Sequence, residues 1–528
     1  MTLRLDFLSP LPPVRSGIAD YSVDLLPHLG AHADVRVLRL PDLELDAEVA
    51  RRFEVAVAAE RAGEDGRLPV YQMGNNRYHA AIWELGMERP GVVVLHDFVL
   101  HHFLLDRTVG HGAWEEYRAE LTRCHGWIGD AVARPVRWGA FGKAGQFELP
   151  ANRRLLERQR GVVVHGAWAA ERLAEEDPRL RVRVVPMGIP LPREVSEEEG
   201  RAFRRARGIP ERAPLLGSFG FQTPIKRTDV AIRALARPEL ATSHLLVAGE
   251  LSPYAEFDVL AARLGVSARV HLLGYLPFAE MQAAIAATDL CLNLRYPSAG
   301  ETSASLLRIL ALGRPVVVSD YGEFGELPSE VAIRVPLGEG EAESFASEVA
   351  RRVRAGRDEL VEMGRMARRH VAERHAPARA GAAMAAALAE LAGGVPPREA
   401  APHVPPATSM ATSRPRGEMR VLGAEDWPRG ERRRLVVRLR NLGAGVWLPS
   451  REAPGGVILE PRLRVAGDDA WRGREWLELR APLAPGEAVE LELRVRRPLA
   501  PALLELIPRV ATAGGWRRFG DWRSELAL

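Results

Sequence analysis

At 528 residues, with 47% apolar and 27% charged side chains, the chain has room for two or three domains with full cores and is neither a disordered nor a fibrous composition. Its net charge of +3 is a slight arginine excess spread along the chain without a Lys/Arg block, which speaks against nucleic-acid binding and leaves only weak attraction to an anionic membrane surface. Cys124 and Cys291 stand far apart without a CxxC, no stretch resembles a signal peptide, and no run approaches the roughly 20 apolar residues of a bilayer span, so a reducing, cytoplasmic setting is expected.

Leu3 to Leu8 reads as a first strand, and Ser16 as the cap of a helix whose stripe is Ile18, Tyr21, Leu25, Leu26 and Leu29. Short apolar strands follow at Val35 to Leu38, Val70 to Gln72, Val92 to Leu95 and Val162 to Val164, with helical or loop segments between them. Such alternation predicts a doubly wound parallel sheet, in which ligands collect at the carboxyl ends of the strands. The residues at those ends are Gly17, Gly74 and Asn75, His96 and Asp97, and His165. A histidine there serves more often as a structural hydrogen-bonder than as a catalytic group. Between Asp106 and Gly161 a long insertion carrying Trp114, Tyr117, Trp127 and Trp138 is expected to pack as helices.

Around VVPMGIP the chain crosses into a second α/β half. The strand Pro214 to Phe219 leads into a helix that starts at Lys226, one of only two lysines, the other being Lys143. A lysine at a helix N-terminus is electrostatically unfavourable unless an anion sits there. Strands at His244 to Ala248 and Val270 to Leu273 follow, the latter ending in Gly274 and Tyr275, with a helix from about Tyr254 to Leu264 between them.

The most informative stretch is DLCLNLRYPSAGETSASLLRILALGRPVVVSD, Asp289 to Asp320. Leu290, Leu292 and Leu294 alternate as a strand, Ser303, Leu306, Leu307 and Leu310 take helical spacing, and Val316 to Val318 form a buried strand. At the loop-to-helix junction Gly300, Glu301, Thr302, Ser303 and Ser305 offer free backbone N–H groups and hydroxyls, a setting that attracts phosphate, while Glu301 suits hydroxyl groups beside it. The same residues serve equally as a helix cap and a first-turn acid.

From Val395 to Arg416 the chain is proline-rich and aperiodic, a semi-rigid linker. Beyond it, alternation at Leu435, Val437 and Leu439 and from Val489 to Val495 predicts half-buried antiparallel strands, hence a β-sandwich. Trp427, Trp447, Trp471, Trp476, Trp516 and Trp522 fall in this module, where core packing is favoured over sugar stacking.

The SGIADY opening and the GETSASLLRILALGRPVVVSD segment together resemble retaining glycosyltransferases of the GT-B fold, the large bacterial family that includes sucrose synthases and polysaccharide mannosyltransferases. The resemblance covers residues 1 to about 392, as an acceptor-side Rossmann-like domain (1–188), a nucleotide-sugar domain (189–376) and a closing helix (377–394); the linker (395–416) and the β-sandwich (417–528) lie outside it, the sandwich only loosely resembling immunoglobulin-like modules. It implies that Lys226 holds the donor diphosphate, that the amides from Thr302 to Ser305, including Ala304, bind its phosphates, and that Gly17 approaches them from across the cleft. It further implies that His96 and Glu301 contact the donor sugar and that Gly274 and Tyr275 read the nucleobase. Two departures stand out: Arg308 occupies the place of a ribose-binding acid, and Phe221 the place of an arginine that accompanies the lysine. Arg308 is then expected to restore the missing charge at the diphosphate.

The implied activity is transfer of a sugar from a nucleotide diphosphate sugar to a saccharide or lipid-linked saccharide, in surface polysaccharide synthesis, by a protein in the cytoplasm or at the inner face of the membrane. No DxD occurs in the sequence, so no metal is expected on the diphosphate. The alternative is a non-catalytic glycan- or partner-binding scaffold whose donor site has degraded at Phe221 and Arg308.

Overall fold

The computed structural model describes residues 2–14, 16–40, 47–136, 143–394, 416–443, 445–449, 456–468, 470–473, 476–479, 481–512, 515–519 and 522–528. The expected linker lies outside the described residues except for Arg416, as does Trp138 of the insertion.

Short apolar runs, buried on both faces except at the two edge strands β3 and β7, form a first sheet of β1 (Arg4–Leu8), β2 (Asp34–Arg39), β3 (Glu54–Val57), β4 (Leu68–Met73), β5 (Val92–Leu95), β6 (Gly161–Val164) and β7 (Val182–Val184). Its order is β3-β2-β1-β4-β5-β6-β7, parallel throughout. A second parallel sheet runs β10-β9-β8-β11-β12-β13, from β8 (Leu215–Phe219), β9 (His244–Ala248), β10 (Val270–Gly274), β11 (Leu290–Asn293), β12 (Val316–Ser319) and β13 (Ala332–Val335). Each sheet reverses its winding beside its first strand, between β1 and β4 and between β8 and β11. The loops leaving those strands diverge to opposite faces and open a crevice at the carboxyl edge.

Helices cover both sheets. The helix Gly17–Gly30 starts where the sequence placed it, with the Ser16 hydroxyl accepting from the Ala19 amide at 3.1 Å. The helix expected from Tyr254 begins at Phe257, leaving Tyr254 71% exposed. In the insertion the helix Trp114–Val136 buries Tyr117, whose hydroxyl meets His101 Nε2 at 2.8 Å.

The closing helix Pro377–Ala392 returns to the first sheet rather than the second. Gly381 lies so close to His28 that an added Cβ would stand 2.6 Å from it, and Arg183 forks onto Glu390 at 2.7 and 2.6 Å. The chain therefore passes between the α/β halves twice, near Ile189 and near His375. The two passages are joined: Ile189 N donates to the His375 carbonyl and His375 Nδ1 to the Met187 carbonyl, both at 2.8 Å.

The strands of the C-terminal module pair antiparallel. One sheet holds β14 (Gly417–Leu422), β15 (Arg432–Asn441) and β19 (Ala488–Arg496); the other is built on β16 (Val457–Val465) and β20 (Ala502–Thr512). The second sheet is completed by β17 (Arg472–Gly473), β18 (Leu477–Glu478), β21 (Gly515–Arg518) and β22 (Ser524–Ala527). Leu435, Val437 and Leu493 from one sheet share a core with Val457, Leu459 and Leu504 from the other. Trp427 and Trp447 are buried there, and Trp522 stacks on Trp447 with centroids 5.2 Å apart. The remaining tryptophans are half-buried: Trp476 and Trp516 meet edge to face, and Trp471 lies under Arg464.

Candidate functional site

The helix Ala304–Ala311 opens at the switch point of the second sheet. Ser303 caps it, accepting from the Leu306 amide at 3.3 Å, and its hydroxyl lies 3.0 Å from that of Ser305. Thr302 donates its hydroxyl to Glu323, which follows β12. Glu301 turns away from the helix: it pairs with Arg295 and accepts from the Ser298 hydroxyl at 2.8 Å. Both partners are largely buried, 17% and 14% exposed at the side chain, so the ion pair is a fixed part of the loop.

Lys226 ends a short 3₁₀ turn, Pro224–Lys226, on the other side of the crevice, and donates Nζ to the Phe219 carbonyl at 2.5 Å. Burial, followed by the positive charge of Arg295, pushes its ammonium down to about 7. An anion beside Lys226 would offset this shift by favouring the charged ammonium.

On the first sheet His96 sits at the end of β5 in a chain of hydrogen bonds. His165 Nδ1 donates to the Val185 carbonyl at 2.8 Å, which leaves His165 Nε2 to accept from His96 Nδ1 at 3.2 Å. His96 Nε2 is then an acceptor, 2.8 Å from the Gln72 amide, and burial keeps the ring neutral. Gln72 Nε2 is a buried donor without a partner, so both groups are satisfied when its NH2 turns toward His96. Tyr21 packs edge-on against both imidazoles, at 4.9 and 5.2 Å. His96, expected on the donor sugar, is thus 6% exposed with both ring nitrogens engaged by protein groups.

The next residue, Asp97, takes the polar place in the cleft. Its Oδ2 accepts from the Asn75 amide at 2.7 Å, while Asn75 Oδ1 accepts from Phe103 N and its Nδ2 donates to His102 Nδ1. Burial first, then the charge of Glu301, pushes the Asp97 carboxyl up to about 7. Glu323 is likewise raised to about 7, chiefly by burial, with Glu326, Glu301 and Asp97 adding to it. Asp97 and Glu323 therefore lie near Glu301 and near each other, with Arg295, the partner of Glu301, among them.

Direct contacts hold this alignment. Val99 N donates to the Ala299 carbonyl at 2.9 Å. Gly300, at φ +71, passes so close to Trp168 and Phe98 that a Cβ would stand 2.5 and 2.7 Å from them. Glu326 reaches over to the amides of Ala167 and Trp168 and so caps the helix Ala167–Glu176 from the opposite half.

Arg308 lies one turn into its helix and faces Asp20, 3.7 Å away, where it lines a cavity of ≈ 730 Å³ with Asp24, Gly220, Gln282 and Ser305. Arg295 is the arginine beside Lys226. Gly17 is exposed, with open space around its Cα. Gly274 ends β10 in a left-handed conformation and its carbonyl accepts from Gly249 N at 2.6 Å, while Tyr275 next to it is 76% exposed. Phe221 is 55% exposed at the same edge. Sequence reasoning passed over Arg295 and Glu323; both follow strands of the second sheet, and the strand-end rule that found Asp97 reaches them. Among the described residues no group of three His, Cys, Asp or Glu side chains is placed to hold a metal ion, and no helix is long and apolar enough to cross a membrane.

Residues 213–354 match the family model described as Glycosyl transferases group 1. No curated protein matches the chain. Among solved structures it is similar to sucrose-phosphate synthase from Thermosynechococcus elongatus, at 15% identity and a TM-score of 0.52 over 74% of this chain and 99% of that one. It is also similar to Anabaena HepE in complex with UDP-glucose, at 16% identity and a TM-score of 0.51 over 74% of this chain and 100% of that one. At these identities the likeness shows the fold: two Rossmann-like halves in the GT-B arrangement.

Proposed function

We propose that this protein is a glycosyltransferase that moves a sugar from a nucleotide diphosphate sugar to a saccharide or lipid-linked saccharide acceptor, with retention and without a metal, in surface polysaccharide synthesis. The observation that carries the reading is one crevice that gathers a capped helix start, Ser303, two cations, Lys226 and Arg295, and three carboxyl groups, Glu301 and Glu323 from the second half and Asp97 from the first. The family match over residues 213–354 supports it from the same half of the chain.

In this reading the helix-start amides of Thr302 to Ser305 and the ammonium of Lys226 hold the diphosphate, and Arg295 supplies the second positive charge expected of Arg308. Glu301, Asp97 and Glu323 accept hydrogen bonds from sugar hydroxyls. As the bond from the anomeric carbon to the phosphate oxygen breaks, negative charge grows on the diphosphate, where Lys226 and the helix end are already oriented. The acceptor oxygen bonds to the anomeric carbon on the same face, and its proton passes to the departing phosphate oxygen.

Thermal unfolding in the presence of uridine, guanosine and adenosine diphosphate sugars tests the donor. A ligand at about 100 times its dissociation constant adds about 2.7 kcal/mol of stability. One donor giving a clear shift, lost in Glu301→Ala, supports the enzyme; no shift from any donor in a cooperatively melting protein supports the scaffold. The anomeric configuration of the product, read by proton NMR, tests retention separately.

A further inference from the structure

The open face of the β14-β15-β19 sheet is crowded with arginine. Pairing in register sets Arg432 directly opposite Arg496 and Arg434 directly opposite Arg494, with Arg438 opposite Arg420 on the other flank of β15. All six side chains are exposed. Like charges directly opposite each other destabilise a sheet, and two such pairs in succession form a square block of guanidinium groups. The carboxylates on this face relieve only part of it: Glu492 pairs with Arg434, Glu490 with Arg438 at 2.5 Å, and Glu418 with Arg420 at 2.8 Å. Among the described residues Arg432, Arg494 and Arg496 have no carboxylate partner. Positive charge left unpaired on one face in this way attracts an external polyanion.

The adjoining turn narrows the choice of polyanion. Residues 497–501, Arg-Pro-Leu-Ala-Pro, leave β19 beside Arg496, and Leu499 at their tip is 76% exposed. The turn is braced on its neighbour: Gly430 N donates to the Arg497 carbonyl and Arg497 N to the Glu431 carbonyl, both at 2.9 Å, and Arg496 Nε donates to the Gly430 carbonyl at 2.7 Å. Pro498 and Pro501 carry no N–H, so this tip enters an apolar medium with fewer unmet donors than another turn would have. On the same face Leu422, opposite Val436, is also exposed. A soluble polyanion has no use for a projecting leucine. A lipid surface does.

We infer that the arginine face of the sandwich docks on an anionic bilayer, with Arg432, Arg434, Arg494 and Arg496 on lipid phosphates and Leu499 at the level of the headgroups. The docking is read from the sandwich alone, so it stands or falls independently of the transfer reaction.

The test uses the full chain and sucrose-loaded vesicles of phosphatidylcholine, with or without phosphatidylglycerol. The protein sediments with the phosphatidylglycerol vesicles and not with pure phosphatidylcholine, and added salt reduces the bound fraction. Each arginine near the surface contributes about fivefold to partitioning, so Arg432→Glu lowers it by roughly tenfold or more. The same substitution replaces a repulsive cross-strand pair by an attractive one, so the melting midpoint of the variant stays level or rises. Leu499→Ser weakens binding to anionic vesicles several-fold and leaves its salt dependence unchanged. Equal sedimentation with both vesicle types, none with either, or full binding by Arg432→Glu overturns the inference. Retention on dextran sulfate without vesicle binding also overturns it and gives the face to a soluble polyanion.

Discussion

Lys226 is a cation held where cations are disfavoured, and this has a measurable signature. With its ammonium near 7 in the free site, the residue is largely neutral at pH 8. A bound diphosphate favours the charged form, so donor binding draws in a proton, and affinity falls as pH rises above about 7. Calorimetry at pH 8 in buffers of different ionisation enthalpy should register close to one proton taken up per donor bound, and none at pH 5; an uptake of zero at pH 8 removes Lys226 from the diphosphate. Lys226→Met should weaken donor binding roughly 10- to 100-fold, the loss of one charge-assisted hydrogen bond of about 1.5–3 kcal/mol. Asp97 carries the opposite sign. Its carboxyl is raised from the ordinary 3.8 to about 7, so the folded state binds the extra proton between those values. Stability from this group is present at low pH and is lost as pH rises through 7. Asp97→Asn should therefore raise the melting midpoint at pH 8 and leave it nearly unchanged at pH 4. An equal shift at both pH values would mean that charge burial is not the cause.

Among elements, the loop between β11 and the helix Ala304–Ala311 has the least freedom. Gly300→Ala meets both a left-handed backbone, about 1 kcal/mol, and overlap with Trp168 and Phe98, typically about 1–3 kcal/mol. Gly322, at φ +58 with nothing near its Cα, is the matched control: Gly322→Ala should cost about 1 kcal/mol in urea unfolding and Gly300→Ala more than twice that. Most elements were legible in the sequence because VVVL, GVVV and VVVS permit little besides strands buried on both faces. In the α/β sheets two strands escaped. β3 is half-exposed and β7 spans three residues, with burial patterns too shallow to give a periodic signal. The partners of His96 were not legible either, since Gln72 and His165 meet it only through the order of β4, β5 and β6 in the sheet. Arg308 was read from its place in a motif, and its spacing along the helix carries it past the loop, to Asp20, while Arg295 occupies the position by Lys226.

For the whole molecule, the α/β unit and the sandwich have separate hydrophobic cores. Scanning calorimetry should resolve two transitions, and a saturating donor should move only the one belonging to the α/β unit. Movement of both would bring the sandwich into donor binding. The paired crossings at Ile189 and His375 have a mechanical consequence. Two pivots tied side by side define a spine, about which the halves can open like the covers of a book, whereas twisting or sliding would tear the bonds between Ile189, Met187 and His375. The gap between Lys226 and Asp97 then becomes a single coordinate, so one pair of spectroscopic labels across the cleft would follow any opening or closing of the halves.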